Sequence, residues 1–190
     1  MSSSNFTPAS SQIPPQAQMM ERITGYWLSQ CIYVAAKLNL ADLLKDGSRS
    51  CDDLAEATGA DSNSVYRLLR ALASVDIFIE TEPRHFQLTP SAACLQSDSP
   101  DSVKSFALFL GGNCYQMWSH LSYSIESGKQ AYAEQYGMPM YDHLQKNPQA
   151  AELFNQAMTD MSALEQVAVT EAYDLVSIHW LMLLGVVALS

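Results

Sequence analysis

Apolar residues recur at helical spacing in two long stretches of the chain. In the first stretch the pattern passes through Ile23, Trp27 and Leu38, and it predicts a helix over residues 19–44. Asn39 is expected to break this helix, so that the last residues form a short second helix. The second stretch follows Asn147-Pro148 and predicts the strongest helix of the chain, with an apolar face made of Ala150, Leu153, Phe154, Ala157, Met158, Met161, Leu164 and Ala168.

The run Tyr26–Ala36 contains no charged side chain. A surface helix of a monomer normally carries a polar face, so this run must be covered on most sides. Two interpretations remain open, a central core helix and a subunit interface.

Residues 50–73 predict a helix-turn-helix. Ser50 can cap a first helix with Asp53 as the capping-box partner, Thr58-Gly59 supplies the stop, and Asp61 can cap a second helix. The apolar positions expected to face inward are Leu54, Ala57, Val65, Leu68, Leu69 and Leu72.

Two short strands are predicted next. Val75, Ile77 and Ile79 alternate with other residues, residues 81–84 form a turn, and Phe86 alternates with Leu88 in the same manner. A helix-turn-helix followed by a β-hairpin is a winged helix. The predicted fold class is therefore mainly α, a winged helix with additional N- and C-terminal helices that form a dimerisation domain.

Shorter elements are expected between the winged helix and the last long helix. Residues 102–110 predict a helix ended by Gly111-Gly112, and residues 129–140 read as a loop before a short helical turn at 141–144. Between them a helix closed by Gly128 is expected, with one face made of Tyr115, Trp118, Leu121, Ser122 and Ile125.

Charge argues against nucleic acid as the partner of this winged helix. The chain has a formal net charge of −10, and residues 50–90 hold seven acidic and three basic side chains, a net charge of −4. A DNA-binding face needs clustered Lys and Arg to neutralise phosphates. Only Arg67 and Arg70 lie on the candidate recognition helix, so we expect no nucleic-acid binding.

Cysteine spacing and hydropathy favour a cytoplasmic protein. The four cysteines stand far apart and none lies at metal-ligand spacing from a histidine, which predicts free thiols and no metal site. The N-terminus shows no secretory signal, and no apolar run reaches the roughly 18 residues that span a bilayer, so no membrane association is expected. A hydrophobic content of 48% with only 16% charged residues favours burial of a face against a partner, and a homodimer through residues 19–44 and the later helices is expected.

Several sequence blocks, in their order and spacing, resemble the class I S-adenosylmethionine (SAM)-dependent O-methyltransferases of the plant and bacterial small-molecule type. The resemblance covers roughly residues 19–178, and its blocks are residues 35–44 (AAKLNLADLL), Leu54-Ala55 with Thr58-Gly59, residues 65–72 (VYRLLRAL), residues 86–90 (FQLTP), residues 118–121 (WSHL) and residues 154–158 (FNQAM). The resemblance implies an N-terminal winged-helix dimerisation domain, a SAM cofactor for the full-length enzyme and a small aromatic hydroxyl acceptor.

The same resemblance divides the chain into four parts. We expect a flexible N-terminal arm over residues 1–18, the winged-helix dimerisation domain over 19–100, and a helical linker and acceptor-pocket region over 101–178. Residues 179–190 are interpreted as an aberrant stub of the Rossmann-like SAM-binding domain. A shift of reading frame after Trp180 can turn this stub into the glycine-rich strand of the family; the alternative is a genuinely divergent C-terminus.

The resemblance places part of the acceptor pocket in this half of the enzyme. Phe154 and Met158 are expected to face the acceptor, with Leu108 and Phe109 as neighbours; the alternative for each is ordinary helix packing. No catalytic, cofactor-binding or metal-binding residue is expected, because the general-base histidine and the SAM contacts of the family lie further along. The 190-residue chain alone is therefore expected to be inactive and to bind no cofactor. A winged-helix transcriptional regulator of the small bacterial type is the alternative function, and a positive recognition face would favour it.

Overall fold

The computed structural model describes residues 13–172 and their side chains as far as residue 163. The helices are α1 (Pro15–Lys37), α2 (Leu40–Leu43), α3 (Cys51–Thr58), α4 (Ser62–Ala73), α5 (Pro90–Ala93), α6 (Lys104–Phe109), α7 (Tyr115–Trp118), α8 (Leu121–Ser127), α9 (Ala131–Tyr136), α10 (Met140–Lys146) and α11 (Pro148–Ala172). The strands are β1 (Arg49–Ser50), β2 (Phe78–Glu82) and β3 (His85–Leu88), and a π-helical turn (Leu110–Cys114) joins α6 to α7.

Helix α1 begins four residues before its predicted start. Pro15 occupies the first turn, where its missing N–H costs no hydrogen bond, so the proposed flexible arm does not extend to residue 18. At the other end, Asn39 adopts the left-handed conformation (φ 55°) and separates α1 from α2, as predicted. The expected arm over residues 1–12 and the C-terminal stub over 179–190 lie outside the described residues.

The winged helix is present, and its predicted helix ends are confirmed. Ser50 Oγ accepts the Asp53 backbone N–H at 3.1 Å, Asp61 Oδ1 accepts that of Ser64 at 2.8 Å, and Gly59 ends α3 with φ 68°. The antiparallel sheet has the order β1-β3-β2, and its short strand β1 was not predicted.

The first predicted strand starts later than its alternating pattern indicated. Phe78 and Phe86 are fully buried between the sheet and the helices, whereas Val75 and Ile79 are exposed. Val75 and Asp76 belong to the turn that follows α4, where Asp76 has φ 60°, so the strand begins only at Phe78, whose ring points inward, and Ile77 just before it packs against the same core. The rest of this core includes Leu40, Leu44, Leu54, Val65, Leu69 and Leu72.

The segment between the wing and α11 departs from the prediction in three places. Residues 131–136 form helix α9 rather than a loop. The single helix expected from Tyr115 to Gly128 is divided into α7 and α8 at Ser119-His120. The chain kinks at Gly112 (φ −89°, ψ −110°), where a helix end was expected, but helical turns resume at once.

Candidate functional site

The four residues expected to line the acceptor pocket lie on two helices that pack against each other. Leu108 and Phe109 lie on α6, Phe154 and Met158 lie on α11, and all four are half-buried. The rings of Phe109 and Phe154 meet edge to face, with centroids 5.5 Å apart. Tyr141 of α10 adds a second edge contact to Phe154 at 6.4 Å. We refer to Leu108, Phe109, Phe154 and Met158 as the acceptor wall.

A small cavity opens beside one end of this wall. Its volume is about 220 Å³, and Leu108 and Phe109 line it together with Tyr33, Lys37, Gly112, Asn113 and Leu153. Phe154 and Met158 are outside this lining. The described residues therefore bring Phe109 and Phe154 into contact, but they do not place all four predicted residues around one cavity.

Two side chains position the first turn of α6. Asp160 Oδ2 on α11 accepts the Phe106 backbone N–H at 3.0 Å. On the other side, Lys104 Nζ donates to Asn39 Oδ1 (2.6 Å), Asp42 Oδ2 (2.6 Å) and Ser97 Oγ (2.7 Å), which ties α6 to α2 of the winged helix. Sequence reasoning missed this cluster, because its members are separated by up to 65 positions along the chain.

A larger groove runs between α1 and the segment from α6 to α7. Its volume is about 510 Å³, and aromatic rings dominate it: Tyr26, Phe106, Tyr115 and Trp118. Tyr26 and Tyr115 stack across it at 6.3 Å between centroids, with 25° between their planes. Gln30 Nε2 of α1 donates to the Gly111 carbonyl at 3.1 Å, which holds the two sides together.

An aromatic cluster joins α9 to α10. Tyr132 and Tyr136 lie one helical turn apart, and His143 contacts both rings at 5.7 and 4.5 Å. Burial, and then the nearby Tyr136 and Cys114, raises the pKa of Tyr132; burial also raises the pKa of the Cys114 thiol. The i, i+4 spacing of the two tyrosines was the signal that could have revealed α9.

The arginine of the wing is engaged within the protein. The Arg84 guanidinium lies 4.9 Å from the centroid of the Tyr66 ring and donates to Ser62 Oγ and Asp52 Oδ1. The hydrogen bond from Ser62, and then that from Arg84, holds the pKa of Asp52 below its usual value. Arg70 of α4 covers the same ring at 5.8 Å. These contacts serve the packing of the winged helix.

The strands of the described residues all lie in one sheet. Strands β1, β2 and β3 all belong to the wing, and none is followed by a glycine-rich turn into a helix. Nor do residues 13–163 place three His, Cys, Asp or Glu side chains where they could hold a metal ion. In the same part of the chain, no helix is both long and apolar enough to cross a membrane.

Two protein families match successive parts of the chain. Residues 20–98 match the O-methyltransferase dimerisation domain, and residues 118–187 match the O-methyltransferase domain. Together the two matches include the winged helix, α8 to α11 and most of the residues beyond them.

Curated relatives of the chain are methyltransferases. The chain is 38% identical over 162 residues to phenazine O-methyltransferase PhzM of Lysobacter antibioticus, covering 85% of this chain and 48% of that protein. It is 30% identical over 142 residues to 3-amino-4-hydroxybenzoate 4-O-methyltransferase of Streptomyces cremeus, covering 74% of this chain and 39% of that protein. The chain thus spans about half or less of the length of these relatives.

Solved structures show the same architecture. The crystal structure of LaPhzM superposes with a TM-score of 0.81 at 37% identity, covering 85% of this chain and 48% of that one. The Streptomyces davawensis dimethyltransferase RosA, described as acting on 8-amino-8-demethyl-D-riboflavin, superposes with a TM-score of 0.73 at 30% identity, covering 82% and 46%.

Proposed function

Since the chain belongs to the SAM-dependent O-methyltransferase family and carries its dimerisation domain and the start of its methyltransferase domain, we propose that it forms the dimerisation and acceptor-binding part of an enzyme that methylates a small aromatic hydroxyl compound. In that enzyme SAM supplies the methyl group. The residues described here bind and orient the acceptor and keep water away from it.

The observation that carries this proposal is the edge-to-face contact of Phe109 with Phe154 on the packed helices α6 and α11. Two aromatic rings, the Leu108 side chain and the Met158 thioether make an apolar, polarizable surface that suits a flat ring. Each of the four residues is only partly buried, so a planar ligand can reach the wall. Two relatives are named for flat aromatic acceptors, a phenazine and an aminohydroxybenzoate, which are compounds of the kind proposed here.

Self-association is the second part of the proposal. The apolar side chains Met20, Ile23 and Trp27 of α1 are each more than half exposed in the single chain. Such a stripe favours the subunit-interface interpretation of the uncharged run over the core-helix interpretation, and a two-fold homodimer is the default arrangement. The transcriptional-regulator alternative receives no support from the methyltransferase relatives or from the engaged Arg84.

A polypeptide of these 190 residues alone, we further propose, neither transfers methyl nor binds SAM tightly. The first SAM-binding strand of the family is followed by a glycine-rich turn. Gly185 is the sole glycine after Gly137 in these 190 residues, so they contain no glycine-rich turn at that place. We also place the protein in the reducing cytoplasm, where Cys31, Cys51, Cys94 and Cys114 remain the free thiols observed.

Saturation-transfer NMR on the 190-residue chain tests the acceptor wall, because this method detects weak binding to a partial site. Planar phenols should receive magnetisation from the protein, whereas an aliphatic alcohol of similar size should not. Phe154→Ala should reduce the phenol signal several-fold by removing the ring that meets Phe109.

Thr159→Ala is the matched control, since Thr159 is exposed on the same helix and its hydroxyl contacts only the Asn155 carbonyl. A phenol signal that Phe154→Ala and Thr159→Ala leave equally strong would refute the assignment of the wall.

A further inference from the structure

The small cavity beside the acceptor wall has one charged side chain in its lining, Lys37. This lysine lies in the last turn of α1, and its side chain is exposed. The rest of the lining is uncharged: Leu108, Phe109 and Leu153 are apolar, Tyr33 and Asn113 are polar, and Gly112 completes it. The cavity therefore combines apolar contacts with a single positive charge.

The polar groups of this lining are unpaired within the described part of the chain. The two ion pairs of residues 13–163 join Arg84 to Asp52 and Lys104 to Asp42, so neither engages Lys37. The Lys37 ammonium group lies 5.6 Å from the centroid of the Tyr33 ring. The side-chain hydrogen bonds of the same residues also bypass Lys37, the Tyr33 hydroxyl and the Asn113 amide. All three groups can thus donate hydrogen bonds to a ligand.

Electrostatics favour an anionic ligand at this cavity. The chain has a net charge of −10, which repels small anions in general, so an anion needs a local positive charge. No Asp or Glu of the described residues lines the cavity. Glu152, next to Leu153 in the sequence, lines a separate groove and accepts a hydrogen bond from Gln156 at 3.3 Å. The charge of Lys37 is therefore not neutralised at the cavity.

The size of the cavity suits one aromatic ring. Its volume of about 220 Å³ lies below the roughly 300–1,000 Å³ of pockets that take drug-sized molecules. The rings of Tyr33 and Phe109 and the side chains of Leu108 and Leu153 supply apolar contacts for a flat ligand. A ring that bears a negative substituent can use both the apolar lining and Lys37.

We propose that this cavity binds the carboxylated ring of an aromatic hydroxy acid. The carboxylate pairs with Lys37 Nζ and accepts hydrogen bonds from the Tyr33 hydroxyl and the Asn113 amide. This inference rests on the proposed function and narrows its acceptor from a phenol to a hydroxylated aryl carboxylate. Phe154 and Met158, which are outside the cavity, contact the remainder of the acceptor.

Saturation-transfer titrations of the full 190-residue chain test the role of the charge. The ligands are para-hydroxybenzoate and para-hydroxybenzamide, which share a shape but differ in charge. The wild type should bind the acid about five-fold more tightly than the amide, as expected for an ion pair at a partly open site. Lys37→Met should abolish this preference, and Lys37→Arg should retain it.

Lys45→Met is the matched control for the charge. Lys45 is exposed just after α2 and is outside the lining of the cavity, so its replacement removes the same charge at another place. The preference for the acid should be unchanged in this variant. An equal loss of preference in Lys37→Met and Lys45→Met would show a general effect of net charge and would overturn the inference.

Selective ¹⁵N-glycine labelling locates the bound acid. Gly112 lines the cavity, and a Cβ built on it would lie 3.8 Å from the Tyr33 hydroxyl oxygen. The amide signal of Gly112 should therefore shift when para-hydroxybenzoate is added, and the shift should be smaller in Lys37→Met. The signal of Gly59, at the end of α3 in the winged helix, should stay in place.

The remaining outcomes separate this inference from the proposed function. Equal binding of acid and amide by the wild type, or binding of the acid without a shift of Gly112, would overturn the inference. The proposed function would then stand, because Phe154→Ala tests it independently. Absence of binding by both ligands would overturn the inference and the acceptor wall together.

Discussion

Lys104 lies at the first position of α6 and is the buried charged residue of the described core. Its ammonium group has three protons, and Asn39, Asp42 and Ser97 accept one each. Ser97 in turn donates its backbone N–H and its hydroxyl to the two oxygens of Asp42. A buried lysine is tolerated here because every proton and both carboxylate oxygens have partners.

Replacing Lys104 with methionine should destabilise the chain by about 2–4 kcal/mol. The substitution keeps the length of the side chain but leaves Asp42 without its cation, and loss of one partner from a fully buried pair costs about 3–5 kcal/mol. The Asp42 side chain is 25% exposed, which lowers the expected value. Urea unfolding measures the change, with the exposed Lys45→Met as the control; equal midpoints for both variants would contradict the role of the cluster.

Lowering the pH should reduce the contribution of the Lys104–Asp42 pair to the stability of the chain. Burial alone would raise the pKa of Asp42, but the hydrogen bonds from Lys104 and Ser97 outweigh it and hold that pKa below the ordinary 3.8. A depressed pKa in the folded state stabilises the protein at pH values above the unfolded pKa, and this contribution is lost as the pH falls through the folded value. Urea midpoints between pH 5 and pH 2 should therefore fall less steeply in Asp42→Asn than in the wild type.

At the scale of elements, α1 can cross the π-helical turn closely because Gly111 has no side chain. A Cβ built on Gly111 would lie 2.3 Å from Cβ of Tyr33, which is the rigid base of that side chain. Contact this close is possible only for glycine. The crossing brings Tyr26 against Tyr115 and so sets the width of the aromatic groove.

Gly111→Ala should therefore cost about 3 kcal/mol, at the upper end for an overpacked site, because α1 must move away from the turn. Gly25→Ala is the matched substitution on α1 itself. Nothing lies within 4 Å of its added Cβ, so it should stabilise the helix by about 0.5–1 kcal/mol. Thermal unfolding of the two variants measures the difference, and shifts of the same sign and size would show that the crossing is looser than described.

At the scale of the whole molecule, the described residues include the dimerisation domain and the proposed acceptor wall. A βαβ unit that holds a nucleotide-like cofactor needs about 30 residues or more, starting with a strand and a glycine-rich turn. The strands of the described chain are all used by the wing.

Isothermal calorimetry on the 190-residue chain should accordingly show no SAM binding in the micromolar range. A longer polypeptide, in which a frame shift at Trp180 restores the glycine-rich strand and the coding sequence continues, should recover binding. Tight binding by the 190 residues alone would mean that the cofactor site is built from other residues than those proposed.

The sequence by itself determined the features that depend on near neighbours. The caps at Ser50 and Asp61, the left-handed Gly59 and the break at Asn39 each involve hydrogen bonds or backbone angles within a few residues. The family blocks were equally readable, because they are strings of adjacent residues.

Only the tertiary structure decided the features that join distant residues. Phe78 rather than Ile79 faces the core because the helices of the winged helix cover that side of β2, and a shift of one residue in a strand exchanges its faces. Lys104 reaches Asn39 and Asp42, and Phe109 meets Phe154, only after α6 has packed between α1 and α11. Spacing along the chain cannot reveal such contacts, because packing and not periodicity brings these side chains together.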